Sequence, residues 1–248
     1  MSTAAISIRD LAFQYPRKEG VRFNHFNLEV ADGESFGLFG PNGAGKTTLM
    51  HLMTGLLNYT EGSIQLLGHE ISHHAKSVNR LFGFVPQEFS FYPELSAKAN
   101  LAFYGAWYGL DRLQIKKRTE ELLEVLGLTS VGNRMLEQFS GGMKRRINLA
   151  IGVMHEPKIL FLDEPTVGVD VQSRHAMIRY LKELNTAGTT LIYTSHQLEE
   201  AEELCNKIAM IDNGQIIAHD SLASLLETYS HDGIEALFLE LTGKNFRD

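Results

Sequence analysis

A glycine-rich run that ends in a lysine is the first stretch of this sequence able to do chemistry. The segment GPNGAGKTT, residues 40–48, matches the pattern G-x-x-x-x-G-K-[ST]. Its glycines let several backbone N–H groups point at phosphate oxygens, Lys46 brings a positive charge to the β- and γ-phosphates, and the Thr47 hydroxyl can ligate Mg²⁺. An apolar strand pattern precedes the segment and a helical pattern follows, as a nucleotide phosphate site requires. The predicted nucleotide-binding residues here are Gly40, Pro41, Asn42, Gly43, Ala44, Gly45, Lys46, Thr47 and Thr48.

Two adjacent acids, Asp163 and Glu164, follow a second apolar run. Residues 159–162 predict a buried strand next to the strand that precedes the phosphate loop. Asp163 then emerges at the carboxyl edge of the sheet, where α/β sheets bind ligands, and can hold Mg²⁺ there. Glu164 can accept a proton from an attacking water. Because phosphoryl transfer to water depends mostly on positioning and charge neutralisation, this chemistry needs no covalent enzyme intermediate.

Gln87 and His196 are further candidates for the same sheet edge. Gln87 follows the strand pattern LFGFV and Pro86, and its amide could reach Mg²⁺ or water. His196 ends the strand pattern TTLIYTSH. Either residue type in isolation is commonly structural. Beside a predicted nucleotide site, both are predicted to face the γ-phosphate or the water. The predicted catalytic residues are Lys46, Gln87, Glu164 and His196. The predicted metal ligands are Thr47, Gln87 and Asp163.

The elements that must position these residues alternate between strand and helix. Apolar strand patterns separated by helices predict an α/β fold, with a P-loop NTPase core and a mainly parallel sheet. The alternating stretches near the start of the chain predict a small antiparallel β-subdomain, and Asn213-Gly214 predicts a hairpin. We predict a single domain over residues 1–248: β-subdomain plus core in 1–92 and 156–220, an inserted α-helical subdomain in 93–155, and a helical tail in 221–248.

Composition narrows the classes of partner. The 248-residue chain has a formal net charge of −7, which argues against a nucleic-acid partner. Its one cysteine excludes an internal disulfide. The first residues lack the basic and apolar regions of a secretory signal, and no apolar run approaches the roughly 18 residues that span a bilayer. We therefore expect that any work at a membrane requires another chain that crosses it.

In this order, the motifs resemble the ATP-binding cassette of ABC transporters over essentially the whole chain. The phosphate loop, Gln87, FSGGM, ILFLDEP, Asp170 and His196 fall where that family has its Walker A, Q-loop, signature, Walker B, D-loop and switch histidine. Tyr15 resembles the aromatic residue that stacks on adenine in that family. A strand aromatic within the β-subdomain is the alternative interpretation of Tyr15.

The resemblance gives the signature turn, Ser140, Gly141 and Gly142, a role. Ser140 is a good N-cap, and a helix N-terminus with two glycines can bind an anion. In the family, two cassettes pair head to tail and each turn covers the ATP that the other holds. The resemblance therefore implies ATP and Mg²⁺ as cofactors and a second cassette, identical or a close paralogue, in an ATP sandwich.

The chain departs from the family pattern at two places. Phe139 replaces the usual Leu of the signature, and Met143 replaces the Gln whose amide could make a polar contact. Around Asp170 the sequence VGVDV lacks the common Leu before the acid and Pro after it. The Asp170 carboxylate and the Ser-Gly-Gly turn are unchanged. Because the sequence also keeps Lys46, Asp163, Glu164 and His196, we predict an active hydrolase.

The segments FSGGMKRR and ALFLELTG resemble the branch that exports drugs, antibiotics, polysaccharides or lipids from bacteria. We expect an ATPase subunit that powers a separate integral membrane permease, located in the cytoplasm at the inner face of the membrane. The aromatic segment 88–110, which holds Trp107, is either the docking surface for that permease or part of the helical core. The alternative function is a non-transport ABC-class ATPase that acts on a cytosolic complex. A kinase is the other enzyme type to consider, but the signature turn would then have no role.

Overall fold

The computed structural model describes residues 4–16, 22–71, 78–195, 197–231 and 233–243. Within them the strands are β1 Ala4–Gln14, β2 Arg22–Ala31, β3 Ser35–Phe39, β4 Glu61–Leu66, β5 His69–Glu70, β6 Phe82–Val85, β7 Ile159–Asp163, β8 Thr190–Thr194, β9 Lys207–Asp212 and β10 Gln215–Ser221. The α-helices are α1 Lys46–Met53, α2 Ala97–Trp107, α3 Arg112–Val125, α4 Gly141–Gly152, α5 Val171–Thr186, α6 Leu198–Leu204, α7 Leu222–Tyr229 and α8 Ile234–Thr242. No helix of the described ranges is both long enough and apolar enough to cross a bilayer.

The larger sheet has six strands in the order β10-β9-β3-β8-β7-β6. The neighbours from β9 to β6 pair in parallel, and β3, β7 and β8 are buried along their whole length. Such strands read as continuous apolar runs because the two faces of a parallel sheet are both covered. The antiparallel hairpin β9–β10 turns at Asn213 and Gly214, both with positive φ, as their sequence predicts.

The strand order corrects one expectation from the sequence. The strand that ends in Asp163 was predicted to lie next to the strand before the phosphate loop, but β8 lies between β7 and β3. After β7 the chain crosses over through α5 and returns as β8 in the intervening position, where it pairs with both neighbours. The carboxyl ends of β3, β8, β7 and β6 consequently meet at one edge. That edge carries the phosphate loop, Thr194, the two acids and Gln87 side by side.

Two apolar cores flank the larger sheet. The four-stranded sheet, β2-β1-β4-β5, packs its buried residues with α1 and one face of the larger sheet. The other core joins the opposite face to α2, α3, α4, α5 and the last two helices. The chain between β6 and β7 is helical, as predicted, and α4 is its segment in closest contact with the sheet.

Two glycines bring α4 against β6. A Cβ on Gly83 of β6 would come within 2.0 Å of the Gly152 carbonyl oxygen, and a Cβ on Gly152 would come within 2.5 Å of Val85 Cγ2. The helix and the strand therefore approach each other backbone to backbone. Because Ser140 caps the start of α4 and Gln87 follows β6, this contact fixes the distance between two predicted site segments.

Gly83→Ala should lower the free energy of unfolding by about 2 kcal/mol or more, since the added methyl group overlaps a backbone atom that cannot rotate away. Urea denaturation followed by circular dichroism measures the change. Gly233→Ala is the matched control, because Gly233 has an extended backbone (φ −164) and its nearest neighbour is a side-chain oxygen at 3.3 Å. Equal stability of the two variants would contradict the close backbone contact.

Candidate functional site

The phosphate loop has the backbone that its glycines allow. Gly40, Gly43 and Gly45 have φ values of 157°, 79° and 113°, a region that residues with a side chain rarely adopt. Gly40 also lies so close to β9 that a Cβ would come within 2.1 Å of the Ile211 carbonyl oxygen. The loop ends at Gly45, which is the N-cap of α1, so the positive end of that helix faces the loop.

Lys46 points back into the loop from the first position of α1. Its Nζ donates to the Gly40 carbonyl at 2.7 Å and to the Pro41 carbonyl at 3.2 Å, and the residue is 7% exposed. Burial lowers the pKa of the Lys46 ammonium, while the nearby charges of Glu164 and Asp163 act in the opposite direction. The cation is thus held between loop carbonyls and two acids, and an anion in the loop would meet it directly.

Asp163 and Glu164 are fixed by Thr194 at the end of the neighbouring strand. Thr194 Oγ1 donates to Asp163 Oδ1 at 2.8 Å and accepts the Glu164 N–H at 3.1 Å. Asp163 is 2% exposed and Glu164 is 5% exposed. Glu164 has a positive φ of 49°, a sparsely populated conformation for a residue with a side chain. One hydroxyl therefore sets the position of both acids.

Gln87 completes the same cluster from the end of β6. Its Nε2 donates to Glu164 Oε2 at 2.8 Å. Gln87 and Glu164 line a cleft of about 360 Å³ together with six phosphate-loop residues, Asn42, Gly43, Gly45, Lys46, Thr47 and Thr48. The structure thus brings a cation, a general-base candidate, an amide and the loop N–H groups to one cavity.

Tyr15 lies beside this cleft, directly after β1. Its hydroxyl is 3.3 Å from Thr48 Oγ1, and its ring makes an edge contact with Phe13 at a centroid distance of 4.9 Å. The side chain is half-buried. This place is consistent with the predicted adenine contact and equally with a strand aromatic that packs in the β-subdomain.

The signature turn lies elsewhere on the surface. Ser140 is the N-cap of α4, as predicted, and its Oγ accepts the Met143 N–H at 3.3 Å. Ser140 and Gly141 are exposed, and neither they nor Gly142 are among the described residues that line the cleft. The Met143 side chain packs against the core, so this position contributes apolar contact and a backbone N–H.

Asp170 lies next to the signature turn. It caps α5 by accepting the Ser173 N–H at 2.9 Å, and this hydrogen bond lowers the pKa of the Asp170 carboxyl. A Cβ on Gly142 would come within 3.0 Å of Asp170 Oδ2. A glycine at position 142 therefore lets the two helix N-termini, of α4 and α5, lie side by side on an exposed surface.

Comparison with known proteins identifies the family. The family model described as "ABC transporter" matches residues 23–167. The linearmycin resistance ATP-binding protein LnrL of Bacillus subtilis is 45% identical over 220 residues, which cover 89% of this chain and 70% of that protein. This chain belongs to the ABC transporter family.

Other members of the family agree in sequence and in fold. The Nod factor export ATP-binding protein I of Cupriavidus metallidurans is 38% identical over 226 residues, which cover 91% of this chain and 74% of that protein. A solved ATP-binding subunit of an ABC transporter superposes with a TM-score of 0.87 at 26% identity, covering 96% of this chain and 99% of its own. The predicted family, the predicted fold class and the assignment of this ABC protein as an ATPase are thereby confirmed.

The individual roles of the site residues stay predictions. The structure brings Lys46, Thr47, Gln87 and Glu164 to one cleft, with the buried Asp163 beside it. It places Ser140, Gly141, Gly142 and Asp170 together but apart from that cleft. His196 lies outside the described residues.

Sequence reasoning missed the side chains that hold the predicted residues in place. These are Thr194, Arg145, Asn148 and Glu200, all buried. Glu200 of α6, for example, accepts hydrogen bonds from Thr166, Tyr193 and Ser195 with the same oxygen. In the sequence, such a residue can be recognised only as a polar residue at an inward position of an amphipathic helix or at the end of a buried strand. This pattern does not identify the residue to which its side chain is hydrogen-bonded.

Proposed function

We propose that this ABC protein hydrolyses MgATP in the cleft and thereby powers a separate membrane permease that exports its cargo. The observation that carries the proposal is the convergence of Lys46, Gln87 and Glu164 on the phosphate loop. The N–H groups of the loop and the Lys46 cation can bind phosphate oxygens. The Glu164 carboxylate, held by the Gln87 amide, can accept a proton from an attacking water. The triphosphate of ATP would lie in the loop, with its γ-phosphate toward Gln87 and Glu164.

The donor set around the acids fits Mg²⁺. Asp163 is a buried carboxylate held by a neutral hydroxyl, Thr47 offers a hydroxyl on the cleft wall, and Gln87 offers an amide oxygen. Mg²⁺ prefers oxygen ligands and keeps several waters, so two or three protein oxygens suffice. We propose that these three residues hold the metal. When bound, it would neutralise charge on the β- and γ-phosphate oxygens.

The other residues of the site have separate proposed roles in hydrolysis. Lys46 would exchange its two loop carbonyl partners for phosphate oxygens. Its buried charge, which has only neutral hydrogen-bond acceptors in the loop, would then be paired with an anion, and this lowers the cost of its burial. Glu164 would take a proton from the attacking water, and Gln87 Nε2 orients its carboxylate from one side. His196 is proposed from the sequence to contact the same γ-phosphate.

The exposed signature turn supports a second cassette as partner. Ser140 and Gly141 offer a helix N-terminus to solvent and are not lining residues of the cleft in their own chain. We propose that they cover the ATP of a partner cassette, an identical chain or a close paralogue, in a head-to-tail pair. Asp170, beside the turn, would lie at the same interface.

An exposed aromatic surface supports the permease as the other partner. Phe89, Tyr92, Phe103 and Trp107 are 43%, 41%, 41% and 76% exposed. The Phe103 ring contacts the rings of Tyr92 and Trp107, and the Phe89 ring stacks on Phe91. An apolar patch of this kind marks an interaction site on a protein surface. We propose that it receives the permease, which would place this subunit at the cytoplasmic face of the membrane. The names of LnrL and the Nod factor protein, resistance and export, favour export over a role on a cytosolic complex.

Glu164→Gln should lower kcat for ATP by about 100-fold or more, because the amide cannot accept the proton of the water. Its carbonyl oxygen can still accept the hydrogen bond from Gln87, so ATP binding should persist and an ATP-bound dimer should accumulate. Phosphate release and size-exclusion chromatography with ATP measure the two effects. Glu120→Gln, at an exposed position of α3, is the control. Hydrolysis near the wild-type rate in Glu164→Gln would exclude the general-base role.

Ser140→Arg should lower hydrolysis at least about tenfold while leaving ATP affinity of the dilute, monomeric protein within twofold, since the bulky cation disrupts only the partner's site. Binding of a fluorescent ATP analogue at nanomolar protein measures the affinity. Ser130→Arg adds the same side chain at an exposed serine of the helical segment and serves as the control. If the monomer itself failed to bind the nucleotide, the proposal that the turn acts on a partner cassette would be wrong.

Thr194→Val should raise the Mg²⁺ concentration for half-maximal ATPase activity about tenfold, because Asp163 loses the hydroxyl that orients it. Titration of Mg²⁺ at saturating ATP measures the shift. Thr194→Ser keeps the hydroxyl and should behave as wild type. An unchanged Mg²⁺ dependence in the valine variant would contradict the role of Asp163 as a metal ligand.

A further inference from the structure

Arg145 is a buried arginine in the second turn of α4 that the proposed mechanism has not used. It is 8% exposed, and arginine is rarely buried to this extent without specific partners. Burial lowers the pKa of the Arg145 guanidinium, while the charge of Glu164 raises it. The side chain therefore lies close enough to Glu164 for the two charges to interact.

The guanidinium of Arg145 connects two loops that flank Glu164. Its Nη1 donates to the Gln87 carbonyl, and its Nε donates to the Val167 carbonyl at 3.2 Å. The Gln87 side chain in turn donates to Glu164 Oε2. Val167 belongs to the turn after Glu164, with its N–H on the Glu164 carbonyl at 3.4 Å. One side chain thus holds the backbone on both sides of the candidate general base.

Asn148, one helical turn further along α4, extends this contact. It is fully buried, its Nδ2 donates to the Pro86 carbonyl at 3.1 Å, and its Oδ1 accepts the Ser90 N–H at 3.2 Å. Residues 86–90 therefore lie against one face of α4. The Phe89 ring, part of the exposed aromatic surface, covers the guanidinium of Arg145 with its centroid 4.7 Å from Cζ.

We propose that Arg145 is a positioning residue for hydrolysis, which holds Gln87 and Glu164 in the arrangement that activates water. The role rests on the proposed function, since it acts through the proposed general base. A planar guanidinium can donate in two directions at fixed geometry, whereas an ammonium on a flexible stem cannot hold two carbonyls in the same way. Because Arg145 does not line the cleft, it should affect the chemical step and leave nucleotide binding intact.

The same side chain connects the aromatic surface with the catalytic acid. Phe89 is 43% exposed, and its ring contacts the guanidinium of Arg145. A permease segment that moves the Phe89 ring would change the surroundings of Arg145, and with them the position of Gln87. Arg145 thus gives docking a route to the hydrolytic site that needs no movement of the phosphate loop.

The test compares Arg145→Lys and Arg145→Ala with wild type by kcat and KM for ATP. We expect kcat to fall about tenfold or more in both variants, since displacement of reacting groups by about 1 Å can cost 100-fold, while KM stays within about threefold. Added methylguanidinium, which supplies the guanidinium that Arg145→Ala lacks, should restore part of kcat in that variant and none in Lys46→Ala. Arg179→Met, an exposed arginine of α5, should keep wild-type kcat.

The outcomes separate the inference from the proposed function. Wild-type protein that releases no phosphate from MgATP would refute the proposed function itself. If wild type is active and the kcat of Arg145→Lys is within twofold of the wild-type value, the positioning role alone is overturned. If Arg145→Ala fails to fold, Arg145→Lys decides by the same criterion, because it keeps the charge and most of the packed stem. A fall in kcat that matches a rise in KM would also overturn the role, since it would indicate loss of binding.

Discussion

The burial of three charged groups at one sheet edge is the constraint on which the rest of the structure depends. Lys46, Asp163 and Glu164 are each less than one-tenth exposed. A buried charge is costly unless hydrogen bonds and opposite charges surround it. Lys46 has two loop carbonyls, Asp163 has the Thr194 hydroxyl, and Glu164 has the Gln87 amide. These partners come from the ends of three strands, β3, β8 and β6, and the two acids come from the end of a fourth, β7. The sheet must therefore keep its strand order for the charges to be stable.

The helical segment between β6 and β7 takes part in the same constraint through α4. Gly83 and Gly152 let this helix contact β6 at backbone distance, and Arg145 and Asn148 then bind the segment that carries Gln87. The N-terminus of the same helix presents Ser140 to solvent. One rigid helix therefore connects the hydrolytic cleft of a cassette with the turn that we propose for its partner's ATP.

The parts of the site that the sequence predicts are those formed by residues adjacent to one another in the chain. The phosphate loop, the N-cap at Ser140 and the hairpin at Asn213 depend on a few neighbouring residues, and local rules describe them well. The position of β8 between β3 and β7 was missed because parallel pairing joins strands far apart in sequence. The contacts of Arg145 were missed because a sequence does not reveal which backbone carbonyls face a helix.

The central claim is that the phosphate cleft hydrolyses ATP by means of the buried Lys46 and the acids beside it. Steady-state phosphate release by the purified chain, with ATP and Mg²⁺, tests it most directly when wild type is compared with Lys46→Ala. The account predicts saturable release by wild type that requires Mg²⁺ and is abolished in Lys46→Ala. Release that is equal in the two proteins would contradict it, as would no release by wild-type protein.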